Sequence, residues 1–384
     1  MQQAVQGRRI LSYMREREGE IIALIRTLVE IESPTGDKAA VDQMGDAVAT
    51  AAEDIARVTR LAQSEHGDHL RIEFDIPTKA DGQVLGLGHI DTVWGVGTLQ
   101  RMPWKQADGR LWGPGVFDMK AGVAYLIFAA RVLRDLGLEA RRRFVVQLNS
   151  DEEIGSPSST PYTREEAARS AAVLVAEPSA GLEGNLKTSR KGGASFEVSV
   201  DGVATHAGLD FAAGASAILE LTRQIQTASS WTDLEQGVTV NPGLVRGGSA
   251  SNVVAEHAWA EFDVRFATRE QGSRIEGLFA TLGPVDPRCT VTVSGGVRKP
   301  PLERSPGVVR LFERAKAISG QLGVDLGEAS VGGGSDGNTT AAMGIPTLDG
   351  LGAVGEGAHA LHESILVDRI ADRAALIASL VQTL

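Results

Sequence analysis

Three segments bearing carboxylates or histidine each sit directly behind a run of apolar residues. Gly88-His89-Ile90-Asp91 follows Val84-Leu85-Gly86-Leu87, and Ser150-Asp151-Glu152-Glu153 follows Val145-Val146-Gln147-Leu148. Glu177 follows Val173-Leu174-Val175-Ala176. A fourth segment, Gly113-Pro114-Gly115-Val116-Phe117-Asp118, puts an acid on a glycine-rich loop ahead of a helix expected from Lys120. Far downstream, Gly357-Ala358-His359-Ala360-Leu361-His362-Glu363 adds two histidines. Parallel sheets bind ligands at the carboxyl ends of their strands, so these side chains are expected to converge on one crevice. Imidazole and carboxylate are the ligands of open zinc sites. Two histidines with three carboxylates suit a pair of metals about 3.5–4 Å apart, one carboxylate lying between them. Asp91, two residues past His89 on the same side of an extended chain, is placed to accept the imidazole's other N–H and fix its tautomer.

Such residues need a scaffold of buried strands. Ile21, Leu24, Ile25 and Leu28 recur at i, i+3, i+4 and i+7, predicting a helix that Ser33-Pro34-Thr35-Gly36 stops. A second helix is expected over 37–55. Apolar runs at 84–89, 144–148 and 172–176 alternate with helical segments, which argues for an α/β domain with a mostly parallel sheet flanked by helices. After Thr188 the texture changes. Residues 194–200 alternate apolar and polar, as a strand with one solvated face does. A helix over 214–227, strands over 238–246 and 257–266, a helix over 269–282 and a strand over 290–294 follow. That order is the βαββαβ pattern of a ferredoxin-like sandwich. Helix–strand alternation resumes at Leu302 and ends in a helix over 368–380. Two domains are therefore expected: a catalytic domain from 1–188 and 302–384, and an inserted lid or dimerisation domain over 189–301.

Composition removes other classes. The 384 residues carry 49 acids against 38 bases, a formal charge of −11, with no basic stripe for a phosphate backbone, so nucleic acid is not an expected partner. Arg141-Arg142-Arg143, the densest basic run, reads as a solvated strand edge. The single cysteine, Cys289, excludes an intramolecular disulfide and reads as a small semi-buried side chain. Arg15, Glu16, Arg17, Glu18 and Glu20 break the first apolar stretch, and no segment has the length of a membrane span, so a cytoplasmic location is expected. His66 and His69 lie in a polar turn and attract no role. His257 reads as structural, and Lys191 as hinge surface.

The segments GHIDTV, GPGVFDMKAG, SDEEIGS, AEPS and GAHALHE, in that order and spacing, resemble a zinc-dependent metallopeptidase family. That family comprises aminoacylases, acetylornithine deacetylases, dipeptidases and glutamate carboxypeptidases, and the likeness is greatest to the carboxypeptidase G type. The resemblance implies two Zn2+ per chain, with Co2+ or Mn2+ as substitutes. It implies that His89 and Glu177 ligate one metal, Glu153 the other, that Asp118 bridges them, and that Glu152 is the general base. The family's last ligand stands four residues before a glutamate, which selects His359 and leaves His362 in reserve. In the lid, His206 of Thr205-His206-Ala207-Gly208 resembles a histidine that reaches the active site, in dimeric relatives from the neighbouring subunit. Asn252 and Arg265 resemble residues that hold the substrate's carboxylate, together with the loop at Gly334 and Ser335. The implied substrate is an N-acyl amino acid or short peptide with a free carboxylate. The implied assembly is a homodimer through the lid.

The implied reaction is hydrolysis of the amide bond beside that carboxylate. A glutamate-type carboxypeptidase comes first, with an aminoacylase, deacetylase or dipeptidase as the alternative. Two rivals lie further off. Gly333-Gly334-Ser335-Asp336-Gly337 fits the G-x-S-x-G elbow of serine hydrolases, with Asp349 and His359 following in order, but only about fifty residues remain to finish that fold. It also leaves His89, Asp118, Glu152 and Glu177 unexplained. The other is a non-catalytic metal-binding relative, against which the intact Glu152 argues.

Overall fold

The computed structural model describes residues 2–384. Its contacts divide the chain into two compact units. The larger comprises Met1–Ser189, Arg304–Val331 and Ser335–Leu384, and the smaller Arg190–Glu303 with Gly332–Gly334.

In the larger unit the apolar runs pair into a six-stranded sheet. Its order is Ala56–Leu61, His69–Phe74, Arg143–Asn149, Gln83–His89, Ser170–Val175, Thr347–Leu348. The first two pairings are antiparallel and the other three parallel. The mixed α/β class with a mostly parallel sheet is thus as expected. The antiparallel edge was not anticipated, because polar residues such as Arg57, Arg60, Arg71 and Glu73 interrupt any apolar run there.

The central strand Gln83–His89 is buried at every position. Its alternating side chains feed two cores. Val84 joins a large cluster with residues of the helices Glu18–Val29, Lys38–Ala52, Ala121–Asp135 and Ile370–Thr383. Leu85 and Leu87 join a smaller one with Val145, Val173 and Val175 on the opposite face. Each such aliphatic side chain stabilises the fold by roughly 1.5–3 kcal/mol when fully buried. The strand ends are therefore firmly placed. The helix after Asp118 is tied to one of them: a Cβ on Gly122 would lie 2.0 Å from the Ala176 carbonyl oxygen, so only glycine lets that helix abut the strand leading to Glu177.

The smaller unit is an antiparallel sheet in the order Thr239–Gly247, His257–Phe266, Gly192–Asp201, Thr290–Lys299. Helices Ala217–Ser229 and Arg269–Ala280 complete a strand-helix-strand-strand-helix-strand sequence. Its core stacks Phe196 on Phe279 at 3.9 Å between ring centroids, with Phe262 edge-on at 5.3 Å. Cys289 is buried in the same core. The edge strand Thr239–Gly247 is exposed from Asn241 onward. Among the described residues no helix is long and apolar enough to cross a membrane.

Candidate metal centre

The ends of the parallel strands meet as the sequence pattern requires. His89 closes the central strand, Glu177 lies two residues beyond Ser170–Val175, and Glu152 and Glu153 form the turn after Arg143–Asn149. His89 Nε2 is 3.1 Å from Asp118 Oδ1 and 3.6 Å from Glu177 Oε1. His359 Nε2 is 3.2 Å from Glu153 Oε2 and 3.6 Å from Asp118 Oδ2. The two oxygens of Asp118 thus face different imidazoles. Two overlapping trios, His89–Glu152–Glu177 and His89–Asp118–Glu153, each bring one ligand atom per residue within 4.8 Å of one another. His359 and His362 are both exposed and neither belongs to either trio; the distances to Glu153 and Asp118 distinguish His359.

Asp91 meets the other ring nitrogen of His89 and does more besides. The nearer acceptor for His89 Nδ1 is the Asp91 main-chain oxygen, at 3.0 Å, with the carboxylate at 3.4 Å. The carboxylate also accepts the Glu152 N–H at 3.3 Å, the Glu153 N–H at 3.2 Å and the Thr35 hydroxyl at 2.7 Å. One residue therefore orients both the imidazole and the turn that carries the two glutamates. Nδ1 donates to the main chain, which leaves Nε2 turned toward Asp118 and Glu177.

Two further supports escaped the sequence reading. Glu363 served there only to mark spacing, yet it is fully buried. It accepts N–H groups from Gly115 (2.9 Å), Phe117 (2.9 Å) and Asp118 (3.0 Å) and from the Trp94 indole (2.9 Å). Burial raises its carboxyl, and those four donors oppose the rise. Gly115 turns the loop at φ +73°, where a Cβ would come within 2.7 Å of Thr92 Cγ2. Losing Glu363 leaves buried donors unpaired at about 1–3 kcal/mol each, so the Asp118 loop depends on it.

His69 is the other support, and it does not sit in a polar turn. It is buried at the start of a strand. Its Nδ1 accepts the Ser150 N–H (3.2 Å), and its Nε2 lies 3.1 Å from the Ser158 hydroxyl, which donates to Asp151 at 2.7 Å. Burial lowers its imidazole, in keeping with a neutral ring that braces the Glu152–Glu153 turn. Its partners lie more than eighty residues away, so only their distant positions reveal the burial.

The electrostatics of the cluster fit a cation. Burial pushes the Glu153 carboxyl up to about 8. His89 opposes this, while the charges of Asp118, Asp91 and Glu177 reinforce it. Burial alone would lower His89, but its hydrogen bonds to Asp118 and Asp91 outweigh that and raise it well above its ordinary value. Glu153 Oε1 is buried without a hydrogen-bond partner. A carboxylate crowd with a partnerless buried oxygen is the donor set that divalent ions stabilise.

Ser335 requires a correction. It is fully buried, donates from Oγ to Asp349 at 2.5 Å, accepts the Gly337 N–H at 3.1 Å, and gives its own N–H to Asn338 at 3.0 Å. Neither its hydroxyl nor its N–H is turned outward to a ligand, and its partner is not a histidine. Its place is structural, and the serine-hydrolase rival loses its nucleophile.

The remaining expected residues belong to the smaller unit. Gly334 packs on Lys299, whose Cδ a Cβ there would approach to 2.7 Å, and its carbonyl accepts from Arg190 at 3.1 Å. His206 is exposed and bridges to Val253, while its neighbour Ala207 donates to the Asn252 carbonyl at 2.9 Å. The Gly208 N–H donates to His206 Nδ1 at 3.1 Å, leaving Nε2 to carry the proton. Arg265 forks onto Asp263 through Nε and Nη2, both at 2.9 Å. Arg265 pairs with Gly193, whereas the Asn252 loop lies beyond the His257 end of the same strand. Eight steps of strand rise separate His257 from Arg265, or roughly 26 Å. Asn252 and Arg265 of one chain thus adjoin opposite ends of that strand.

Comparison with known proteins agrees with the five-motif resemblance. The family described as Peptidase family M20/M25/M40 matches residues 86–383. Carboxypeptidase G2 of Pseudomonas sp. is 27% identical over 353 residues, spanning 90% of this chain and 84% of that protein. A succinyl-diaminopimelate desuccinylase of Corynebacterium glutamicum is 26% identical over 386 residues, spanning 94% of this chain and 95% of the other. Among solved structures, aminopeptidase PepT from Bacillus cereus superposes with a TM-score of 0.76 at 21% identity, covering 95% of this chain and 98% of that one.

Proposed function

Because this chain belongs to peptidase family M20/M25/M40 and is a hydrolase of peptide or amide bonds, we propose that it cuts the amide beside a free carboxylate, first of all as a glutamate-type carboxypeptidase. The observation that carries the reading is Asp118, whose two oxygens face His89 and His359 separately. His89, Glu177 and Asp118 would hold one divalent ion, and His359, Glu153 and Asp118 a second, with zinc the first choice and cobalt or manganese as substitutes. When bound, such a pair lowers the pKa of water and polarises a carbonyl. Glu152 takes the proton from the attacking water and returns it to the leaving amine. Its place on the Asp91-bound turn holds it beside His89 and Glu177, within reach of the same ion. His206 Nε2–H would donate to the oxyanion, and Arg265 would exchange Asp263 for the substrate's carboxylate in the same fork geometry.

A free carboxylate is testable directly. Metal-loaded protein should hydrolyse N-acyl glutamates, N-succinyl amino acids or dipeptides and ignore the same compounds with the carboxyl amidated. Equal turnover of the amidated forms would remove carboxylate recognition from the proposal. The ligand assignment makes a second expectation: His359→Ala should lower bound metal, while His362→Ala leaves it near the wild-type content. The reverse pattern in metal analysis would exchange their roles.

Strand geometry also supports a homodimer. His206 with Asn252 and Arg265 sit too far apart on one lid to serve one short substrate, so they would serve it from two copies. The exposed edge strand, with Leu244 and Val245 at 55% and 63% exposure, offers the pairing surface. Mixing His206→Ala chains with Glu152→Gln chains, each inactive alone, should restore one whole site per mixed dimer and up to about half the wild-type rate. No recovery despite proven subunit exchange would place His206 in its own chain's site.

A further inference from the structure

At the opposite end of the six-stranded sheet from the carboxylate cluster lies a cavity of about 550 Å³. It opens where Arg143–Asn149, Ser170–Val175 and Thr347–Leu348 begin, whereas the cluster stands where their parallel neighbours end. The seven residues of Arg143–Asn149 put roughly 20 Å between the two sites. Arg141 and Arg142, part of the run read from sequence as a solvated edge, form one wall. Arg310 and Arg314, one turn apart on the helix Pro306–Leu322, form the other. Leu311 and Pro346 supply apolar surface between them, and no aspartate or glutamate lines the cavity.

Four guanidinium groups gathered against a single lining carboxylate, that of Leu384, is an odd arrangement in a chain of net charge −11. The first turn of the Pro306–Leu322 helix also borders the cavity through Gly307, so the positive end of the helix dipole adds to the arginines. Burial and the charge of Arg141 push Arg314 below its ordinary value. Arg142 is paired with the Leu384 carboxylate, which fixes and neutralises that guanidinium and leaves Arg141, Arg310 and Arg314 to face a ligand. The volume lies in the range of small-molecule sites.

We propose that this cavity binds a small polyanion carrying two or more phosphate or carboxylate groups, its apolar body resting on Leu311 and Pro346. Guanidinium forks recognise both anions by paired N–H donors, so the shared chemistry is a multiply charged oxyanion. The site is separate from the amide-cleaving centre, and its ligand need not be a substrate.

Calorimetric titration of the metal-loaded protein with ADP, and separately with glutarate, tests the site. At least one anion should bind saturably. Arg310→Ala/Arg314→Ala should weaken that binding about ten-fold or more, and rising salt should weaken it further. Ala171→Trp, at an exposed lining position, should block the cavity while keeping every arginine. Thermal melting checks that both variants stay folded, and hydrolysis by both should match wild type. Stronger binding of ADP assigns the ligand to phosphates and stronger binding of glutarate to carboxylates; either supports the site. Absence of saturable binding by both, or binding unchanged in the double variant and in Ala171→Trp, overturns it, since what persists then resides at the metals.

Discussion

Glutamine at position 152 should lower kcat by roughly two to four orders of magnitude, the typical worth of a positioned general base, while fold and metal content stay intact. The substitution keeps the size of the side chain, and the turn is held through main-chain N–H groups bound to Asp91, which the change does not touch. What disappears is the capacity to take a proton. The outcome discriminates between the two trios that the cluster offers, because Glu152 groups with His89 and Glu177 in one of them. Loss of a metal ion from Glu152→Gln would make Glu152 a ligand and send the search for a base to its neighbour. A rate within a few-fold of wild type would remove it from the chemistry altogether.

Asp118→Ala is expected to be more severe than any single histidine substitution. In the proposed assignment its carboxylate is the group common to both ions, so its removal should empty both positions and take hydrolysis to background. His359→Ala should forfeit only the half it faces. Metal analysis of the two variants, read with their rates, separates a bridging carboxylate from an ordinary one. Chelation should reproduce the Asp118→Ala loss in the wild-type chain, and added divalent metal should reverse it there but not in the variant. A serine-directed phosphonate should leave activity untouched, because Ser335 is enclosed and bound to Asp349. Retention of two ions by Asp118→Ala would dismiss the bridge.

Much of this architecture was legible because burial leaves a periodic mark. The runs behind His89, Glu152 and Glu177 are apolar at nearly every position, as strands covered on both faces must be. His89 and Glu177 then stand out as the first polar residues after their runs, and Glu152 and Glu153 close the polar segment Asn149-Ser150-Asp151 that follows the third. The same logic failed where polarity hid a strand, as at Ala56–Leu61, whose alternation mixes Arg57, Thr59 and Arg60 with half-buried partners. It failed again for His69 and Glu363, whose importance lies in who meets them across the fold. Glu363 holds a loop some 250 residues earlier in the chain, with no local signature for four donors converging on one carboxylate. Ser335 shows the converse error. A glycine-rich pattern says that a loop is tight, but not which of its polar groups are already paired inside. Arg310 and Arg314 share a helix face by spacing alone, yet nothing in the spacing brings Arg141 to them.

The division of Asp118 between two imidazoles has a consequence for the order of assembly during synthesis. His89, Asp118 and Glu177 all precede residue 178, so the first half of the cluster is encoded before half the chain has been made. The second half waits for His359, and the Asp118 loop waits for Glu363, both within the last thirty residues or so of the 384. A ribosome-bound chain can therefore present one set of ligands long before the other exists, on a loop that is not yet anchored. Under the proposed ligand assignment, filling of the pair would be sequential, with its final step linked to the placing of His359 and Glu363.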